Sequence, residues 1–146
     1  MLLYACHHGR TGSSQEAATE GMPQAALITL AKGYYSGIHE SKDIAIRTRD
    51  EWEELWEKVH DNTGTLPPLP DVDFTSHTIL AAFTGTKPSG GFGIEIQGLT
   101  KCDGQLTAIV VATSPEPGEM VTTALTSPFH IVKAPITGKE IEFVRK

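Results

Sequence analysis

The clearest hydrophobic pattern in the chain lies between residues 48 and 64 and predicts one amphipathic helix. Thr48 and Glu51 are spaced as a capping box, in which the threonine hydroxyl caps a free backbone N–H and the glutamate reaches back. Apolar residues then recur at i, i+3, i+4 and i+7, which places them on one helix face. The turn residues 62–64 end the helix. The predicted buried face consists of Trp52, Leu55, Trp56 and Val59.

The remaining hydrophobic positions follow the patterns of β-strands. Residues 78–83 are apolar on both faces, as in a central strand, whereas residues 92–97 alternate between apolar and polar positions, as in a half-buried strand. Tyr34 and Tyr35 are adjacent, so an extended backbone would put one in the core and one on the surface. The predicted strands are residues 25–30, 44–47, 78–83, 92–97, 106–112, 120–125, 129–132 and 141–144.

Glycine and proline separate these strands. Asp103-Gly104 is a turn signal between two of them. The prolines of residues 66–70 keep that segment extended, which we interpret as a rigid spacer between helix and sheet; its Pro-x-x-Pro spacing also occurs in SH3 ligands. Many short strands with a lone helix predict an α+β fold. It is mainly an antiparallel β-sheet, a sandwich or an open barrel, with the amphipathic helix packed on it.

Length and charge limit the domain organisation and the classes of partner. The 146 residues suit one domain. Residues 1–24 are polar without a core-forming face and are predicted to be a disordered tether, so the folded domain spans residues 25–146. The net charge is −6 and the basic residues form no run, which excludes a nucleic-acid partner. No stretch is apolar for long enough to cross a membrane.

The first six residues resemble the end of a bacterial lipoprotein signal. The tetrad Leu-Tyr-Ala-Cys ends at Cys6 and is similar to a lipobox, in which the cysteine becomes acylated. On this interpretation the chain starts inside the signal peptide, and Cys6 is the lipid attachment site and the only contact with a membrane. The alternative is that Cys6 is an ordinary residue of the tether. Both interpretations stay open.

Candidate chemistry is sparse. The two cysteines, Cys6 and Cys102, make neither a disulfide framework nor a zinc site, and the six histidines show no ligand-like spacing. His130 is the one candidate general base, but no Gly-x-Ser-x-Gly elbow occurs, so we interpret His130 as a strand histidine on the solvent or rim side. The sequence therefore predicts a protein that is not an enzyme and that uses no metal and no cofactor.

Two segments have unusual backbone chemistry. Residues 85–93 form a glycine-rich loop between strands; Gly90-Gly91 permits positive φ or the close approach of a backbone, from this chain or from a partner. Residues 127–135 are bracketed by prolines, which predicts a strand that starts and stops sharply near a sheet edge. From these segments we predict partner-binding residues. They are Lys87, Pro88, Ser89, Gly90, Gly91, Phe92, Pro128, Phe129 and His130.

Several motifs, taken in order, resemble the PrcB C-terminal domain family. In that family a small strand leads into a helix with a Glu-Trp-x-x-Leu-Trp pattern, which is present here at residues 51–56. The resemblance covers roughly residues 33 to 145. The matching motifs are YYSGI at 34–38, IRTRDEWEELW at 46–56, PPLPDVDF at 67–74, GTKPSGGF at 85–92 and PGEMVTTALTSPFHIV at 117–132.

The resemblance implies an exported cell-envelope protein, often a lipoprotein, named after a subunit that associates with and stabilises a surface protease. It implies no catalytic residues. The expected function is thus a non-catalytic accessory domain that binds a protein, with the glycine-rich loop and residues 127–135 as one contact surface. A small-molecule or carbohydrate-binding envelope module is the alternative, with Tyr34 or Tyr35 as its platform. A further alternative is a protease inhibitor, because the glycine-rich loop is similar to the loop that chagasin-like inhibitors insert into cysteine proteases.

Overall fold

Eight strands and one helix form the part of the chain that the structure, a computed structural model, describes: residues 20–22, 27–102, 105–135 and 140–146. The predicted tether of residues 1–24 overlaps the first strand, and its residues 1–19 and 23–24 lie outside the described part. In chain order the elements are β1 (Glu20–Met22), β2 (Ile28–Gly33), β3 (Ser41–Ile46), α1 (Arg49–Val59), β4 (His77–Thr84), β5 (Gly93–Cys102), β6 (Gln105–Thr113), β7 (Phe129–Pro135) and β8 (Ile141–Arg145).

The strands form two four-stranded sheets. Sheet A has the order β1-β5-β6-β8 and sheet B the order β2-β7-β4-β3. All pairs are antiparallel except β6 with β8, which is parallel. The predicted class, α+β with mainly antiparallel strands and one helix, is confirmed, and the sheets form a sandwich rather than a closed barrel.

Helix α1 forms where the sequence predicts it. Thr48 is its N-cap, and its Oγ1 accepts a hydrogen bond from the N–H of Glu51 (3.2 Å). The Glu51 carboxylate reaches back to the N–H of Arg47 (3.3 Å), one residue before the cap. The four predicted apolar residues are buried, and the acidic residues on the opposite side are exposed.

The proline segment 66–70 packs against α1. The indole N–H of Trp56 donates to the carbonyl oxygen of Pro67 (2.8 Å), and that of Trp52 donates to the carbonyl oxygen of Pro70 (3.0 Å). The two carbonyls belong to an extended segment. Its prolines have no N–H groups with which to form the hydrogen bonds of a β-sheet. The segment is therefore a spacer held by the two tryptophans.

Sheet B is the middle one of three layers. One face of sheet B packs on α1 through Ile79, Ala81 and Phe83 of β4. The other face packs on sheet A through Leu80 and Ala82 of the same strand. The two kinds of residue alternate along β4, so this strand is buried on both sides. The prediction of a central strand at residues 78–83 is confirmed.

Two predictions about strands are wrong: residues 120–125 do not form a strand, and residues 127–135 do not lie at a sheet edge. Residues 120–125 form an exposed irregular segment, because their backbone has no neighbouring strand and bonds instead to the glycine-rich loop. Strand β7 is not at an edge; it lies between β2 and β4. Its prolines stand at the strand limits, at 128 and 135, so the residues between them keep their N–H groups for the ladders.

Smaller differences concern the start of the domain. The first two predicted strands, residues 25–30 and 44–47, are shifted to Ile28–Gly33 and Ser41–Ile46. Tyr34 and Tyr35 are both exposed, because the chain bends after β2 and the alternation of a straight strand no longer applies. The predicted turn at Asp103-Gly104 lies outside the described residues.

Candidate functional site

Three chain segments meet at one end of the sandwich: residues 34–39, 85–92 and 114–128. We call these three segments together the loop end. The N–H of Ser127 donates to the carbonyl oxygen of Tyr34 (2.7 Å). Lys87 and Thr126 exchange two backbone hydrogen bonds (2.7 and 3.0 Å), and the N–H of Gly90 donates to the carbonyl oxygen of Thr122 (3.1 Å). The loop end is thus one hydrogen-bonded unit, although its parts are far apart in sequence.

The loop end carries most of the exposed apolar side chains. Tyr34 is 56% exposed and Tyr35 is 58% exposed, and Leu125 is 66% exposed. Five of the seven large apolar side chains exposed in the described part of the chain lie in these segments. A cluster of exposed apolar groups is typical of a binding surface. The five are Tyr34, Tyr35, Met120, Val121 and Leu125.

A cavity of about 320 Å³ opens between the tyrosines and the glycine-rich loop. Tyr34 and Tyr35 form one wall, and residues 90–93 form the other. A second cavity of about 170 Å³ adjoins it, since both share Tyr34 and Gly93, and it continues between β2 and β5 to Lys32 and Glu95. The two cavities make one cleft with aromatic and glycine walls at the loop end and charged groups farther in.

Gly90 and Gly91 both pack closely against other residues of this chain. A Cβ on Gly90 would lie 2.5 Å from Oγ1 of Thr122, and one on Gly91 would lie 2.8 Å from Cβ of Pro115. Gly91 also has φ +91, a conformation that favours glycine. The groups that approach this loop so closely are therefore side chains of residues 115–122 of the same chain.

The other predicted residues of the glycine-rich loop lie at the loop end. Pro88 is exposed, and the ammonium of half-buried Lys87 lies 5.4 Å from the ring centroid of Phe92. Ser89 Oγ donates to the carbonyl oxygen of Gly90 (2.9 Å), and its own carbonyl accepts from Thr126 Oγ1 (2.8 Å). Phe92 thus lines the cleft, with Lys87 over its ring.

The second group of predicted contact residues is buried. Pro128, Phe129 and His130 all lie in the interior, so they do not form part of an exposed contact surface. The ring of Phe129 stacks on Phe83 of β4 at 6.3 Å between centroids. This corrects the prediction that residues 127–135 and the glycine-rich loop form one contact surface, and the cause is the interior position of β7.

His130 is buried between the two sheets and only 3% exposed, which corrects its prediction as a solvent or rim residue. Its Nδ1 accepts a hydrogen bond from the backbone N–H of Ile96 (2.9 Å), so its Nε2 carries the proton and donates to Thr29 Oγ1 (2.9 Å). The pKa of His130 is lowered from 6.5 to about 4, chiefly by burial and also by the nearby Lys32, while Glu95 acts in the opposite direction.

The hydrogen bonds of His130 are opposite to those of a general base. A base must present a lone pair to the hydroxyl that it activates, and here the lone pair is taken by a backbone N–H. The other ring nitrogen, Nε2, donates a hydrogen bond to the Thr29 hydroxyl. The arrangement can join strands, but it cannot take the proton of Thr29.

Other candidate chemistry is limited. No group of three or more histidine, cysteine or acidic side chains could hold a metal ion within the described ranges. Among those same residues no helix has the length and apolar character needed to cross a membrane. The predicted lipid attachment site, Cys6, lies outside the described residues.

Sequence reasoning missed part of this surface. Met120, Val121 and Leu125 lie in a segment predicted to be a strand, although the threonines between them break any apolar alternation. Both tyrosines are exposed where the chain bends after β2, and the hydrogen bond between Tyr34 and Ser127 at this bend is not revealed by any local pattern.

The comparisons with known proteins give one family. A family model described as PrcB C-terminal matches residues 78–135, which is less than half of the chain. The match confirms the predicted resemblance: this segment is similar to the PrcB C-terminal family. It spans β4 to β7 and so contains the inner strands of both sheets, the glycine-rich loop and His130. A search of curated proteins and a search of solved structures found no match.

Proposed function

We propose that this chain is a non-catalytic accessory domain of the cell envelope that binds and stabilises a surface or secreted protease. The observation that carries the proposal is the apolar surface of the loop end, formed by residues of three segments that hydrogen bonds hold together. A rigid surface loses little conformational entropy on binding, and exposed aromatic residues on it are typical anchors of protein interfaces. The similarity of residues 78–135 to the PrcB C-terminal family supports a protein partner and export to the envelope.

The side chains point to a contact made by Tyr35 and Leu125, with Pro88 and Lys87 at its rim. Tyr35 and Leu125 are exposed on the two segments that Ser127 joins to each other. Gly90 and Gly91 shape this surface through packing and do not themselves have to touch the partner. The absence of an activated nucleophile at His130 supports a non-catalytic role.

The test is capture of the partner from gently cross-linked native envelopes, with mass spectrometry, for the full-length protein and for Tyr35→Ser/Leu125→Ser. We expect a protease with the native protein and at least a tenfold lower recovery with the double variant, because truncating interface anchors costs about 1.4 kcal/mol or more. Both replaced side chains are exposed, so the midpoint of urea unfolding should not change.

The matched control is Ile28→Ser. Ile28 is also an exposed apolar residue, 50% exposed, but it lies at the end of β2 that is remote from Tyr34. Its replacement should leave recovery unchanged. Equal recovery with the native protein and the double variant, or recovery of no protease, would contradict the proposal.

A second candidate function is binding of a small molecule or carbohydrate in the cleft. The favouring observation is that Tyr34 and Tyr35 line the cavity of about 320 Å³ side by side. Titration of soluble envelope glycans, followed by NMR of the tyrosine rings, separates the two functions. Saturable shifts at Tyr34 and Tyr35, without capture of a protein, would favour the ligand-binding function.

A further inference from the structure

His130 joins two strands that belong to different sheets. It bonds to Thr29 of β2 in sheet B and to Ile96 of β5 in sheet A. Both partners lie beside irregularities, since the register of β2 shifts between Thr29 and Ala31 and that of β5 shifts between Ile96 and Gly98. A bulge releases a backbone group from its ladder, which leaves the Ile96 N–H available to the imidazole.

The two joined strands lead directly to the two walls of the cleft. Strand β2 ends at Gly33, immediately before the tyrosine wall, and β5 starts at Gly93, immediately after the glycine wall. The one described ion pair between these strands, Lys32 with Glu95 at 3.6 Å, is solvent-exposed and so contributes little. The hydrogen bonds of His130 are thus a direct polar link between the two strands that carry the walls.

We propose that His130 is a pH-sensitive latch between β2 and β5, which keeps the loop-end surface in its binding geometry and releases it on acidification. The proposal deepens the proposed function and rests on it for its biological meaning. An imidazolium donates from both nitrogens, so a protonated ring would present an N–H to the N–H of Ile96. The bond between the sheets cannot survive protonation.

The charges around the ring set the direction of the effect. Lys32 from β2 and Glu95 from β5 act on the ring, while its partner in β4, Ala82, is uncharged. In the latched state the pKa of His130 is lowered to about 4. In the released state the ring is solvated and its pKa is again 6.5. Protons therefore favour the released state, whose population relative to the latched state should rise about twentyfold between pH 7 and pH 5.

The test is amide hydrogen exchange by NMR on the whole chain without a partner. Each exchange rate is normalised to that of an unfolded amide at the same pH. We expect protection of the Ile96 amide to fall about twentyfold from pH 7 to pH 5. Protection of Ala81, which lies in β4 between two partner strands, should change much less. If Ile96 loses no more protection than Ala81, the latch is disproved.

A variant separates the effect of the imidazole from other effects of pH on the protein. His130→Gln keeps a donor and an acceptor but cannot be protonated, so its Ile96 protection should not change with pH. His77→Gln is the matched control and should keep the twentyfold change, since His77 bonds locally to Ser76. The same fall in His130→Gln would overturn the proposal, and if that variant does not fold, the comparison of Ile96 with Ala81 still decides.

The outcome is separable from that of the proposed function. Exchange reports on the latch alone, whereas partner capture at pH 7 reports on binding. A latch that opens in a protein that captures no protease leaves the latch established and removes only the proposed function.

Discussion

At the scale of residues, the buried polar side chains are almost all matched with partners. Thr84 Oγ1 donates to the carbonyl oxygen of Gly85 (2.6 Å), and Ser36 Oγ accepts from the N–H of Ile38 (2.8 Å). Thr78 is the exception among the described residues: its Oγ1 is buried without a hydrogen-bond partner. A buried hydroxyl without a partner costs free energy, so this position should tolerate an apolar residue of the same shape.

Thr78→Val is therefore expected to stabilise the protein by about 1 kcal/mol, because it removes the desolvation cost and keeps the branched shape. Urea unfolding measures the change. Thr84→Val is the matched control on the same strand and should destabilise by about 1 kcal/mol, since it leaves the Gly85 carbonyl unpaired. A loss of stability in Thr78→Val would mean that the hydroxyl has a partner after all.

At the scale of elements, the sequence predicts what depends on local periodicity. The helix follows from the spacing of Trp52 to Val59 and the cap at Thr48, and the central strand follows from the apolar run at 78–83. The position of a strand in its sheet depends instead on distant partners. Thr29 and His130 bond across 101 residues of sequence, so the interior place of β7 could not be read from its bracketing prolines.

The contact of α1 with the proline segment gives a prediction at this scale. Trp56→Phe should lower the free energy of unfolding by about 1–3 kcal/mol, because the carbonyl of Pro67 loses its donor and the smaller ring leaves space. Urea unfolding followed through the remaining Trp52 measures it. Leu66→Ala, an exposed change in the same segment, should cost less than about 0.5 kcal/mol. Equal effects of both changes would show that the indole hydrogen bond contributes nothing.

At the scale of the whole molecule, the two sides of the sandwich are closed by different chemistry. On the side of β2 and β5 the tie is His130, and on the side of β3 and β8 it is Arg145. The guanidinium donates to both carboxylate oxygens of Asp43 (2.6 and 3.1 Å), and it also donates to the carbonyl oxygen of Phe83 (2.9 Å). A bidentate pair with a further carbonyl fixes the geometry of this side.

Arg145→Lys is expected to destabilise the protein by about 1–2 kcal/mol, because an ammonium cannot make these planar, paired contacts. The same substitution at Arg49, which pairs with Glu53 on the surface of α1, should cost less than about 0.5 kcal/mol. The comparison uses the midpoint of urea unfolding. A similar small effect at both positions would show that Arg145 does not hold the sheets together.

The candidate site also belongs to this scale, which explains why only part of it was predictable. The glycine-rich loop stands out in the sequence, and its residues 90–92 do line the cleft. The segments that carry the two tyrosines and Leu125 are joined by the hydrogen bond between Tyr34 and Ser127. This bond links residues far apart in the sequence, so it could not be predicted from local patterns. Likewise, Phe129 and His130 are buried and not on the predicted contact surface, because β7 lies between two other strands.

The close packing of Gly90 and Gly91 against residues 115–122 has a consequence for the evolution of this surface. Selection for folding alone is enough to keep glycine at position 91, even in relatives that have changed or lost their partner. Strict retention of Gly91 is therefore no sign of a shared function. Divergence between lineages should be sought at Tyr34, Tyr35 and Leu125, where the fold leaves the side chain free to vary and only an interaction would restrain it.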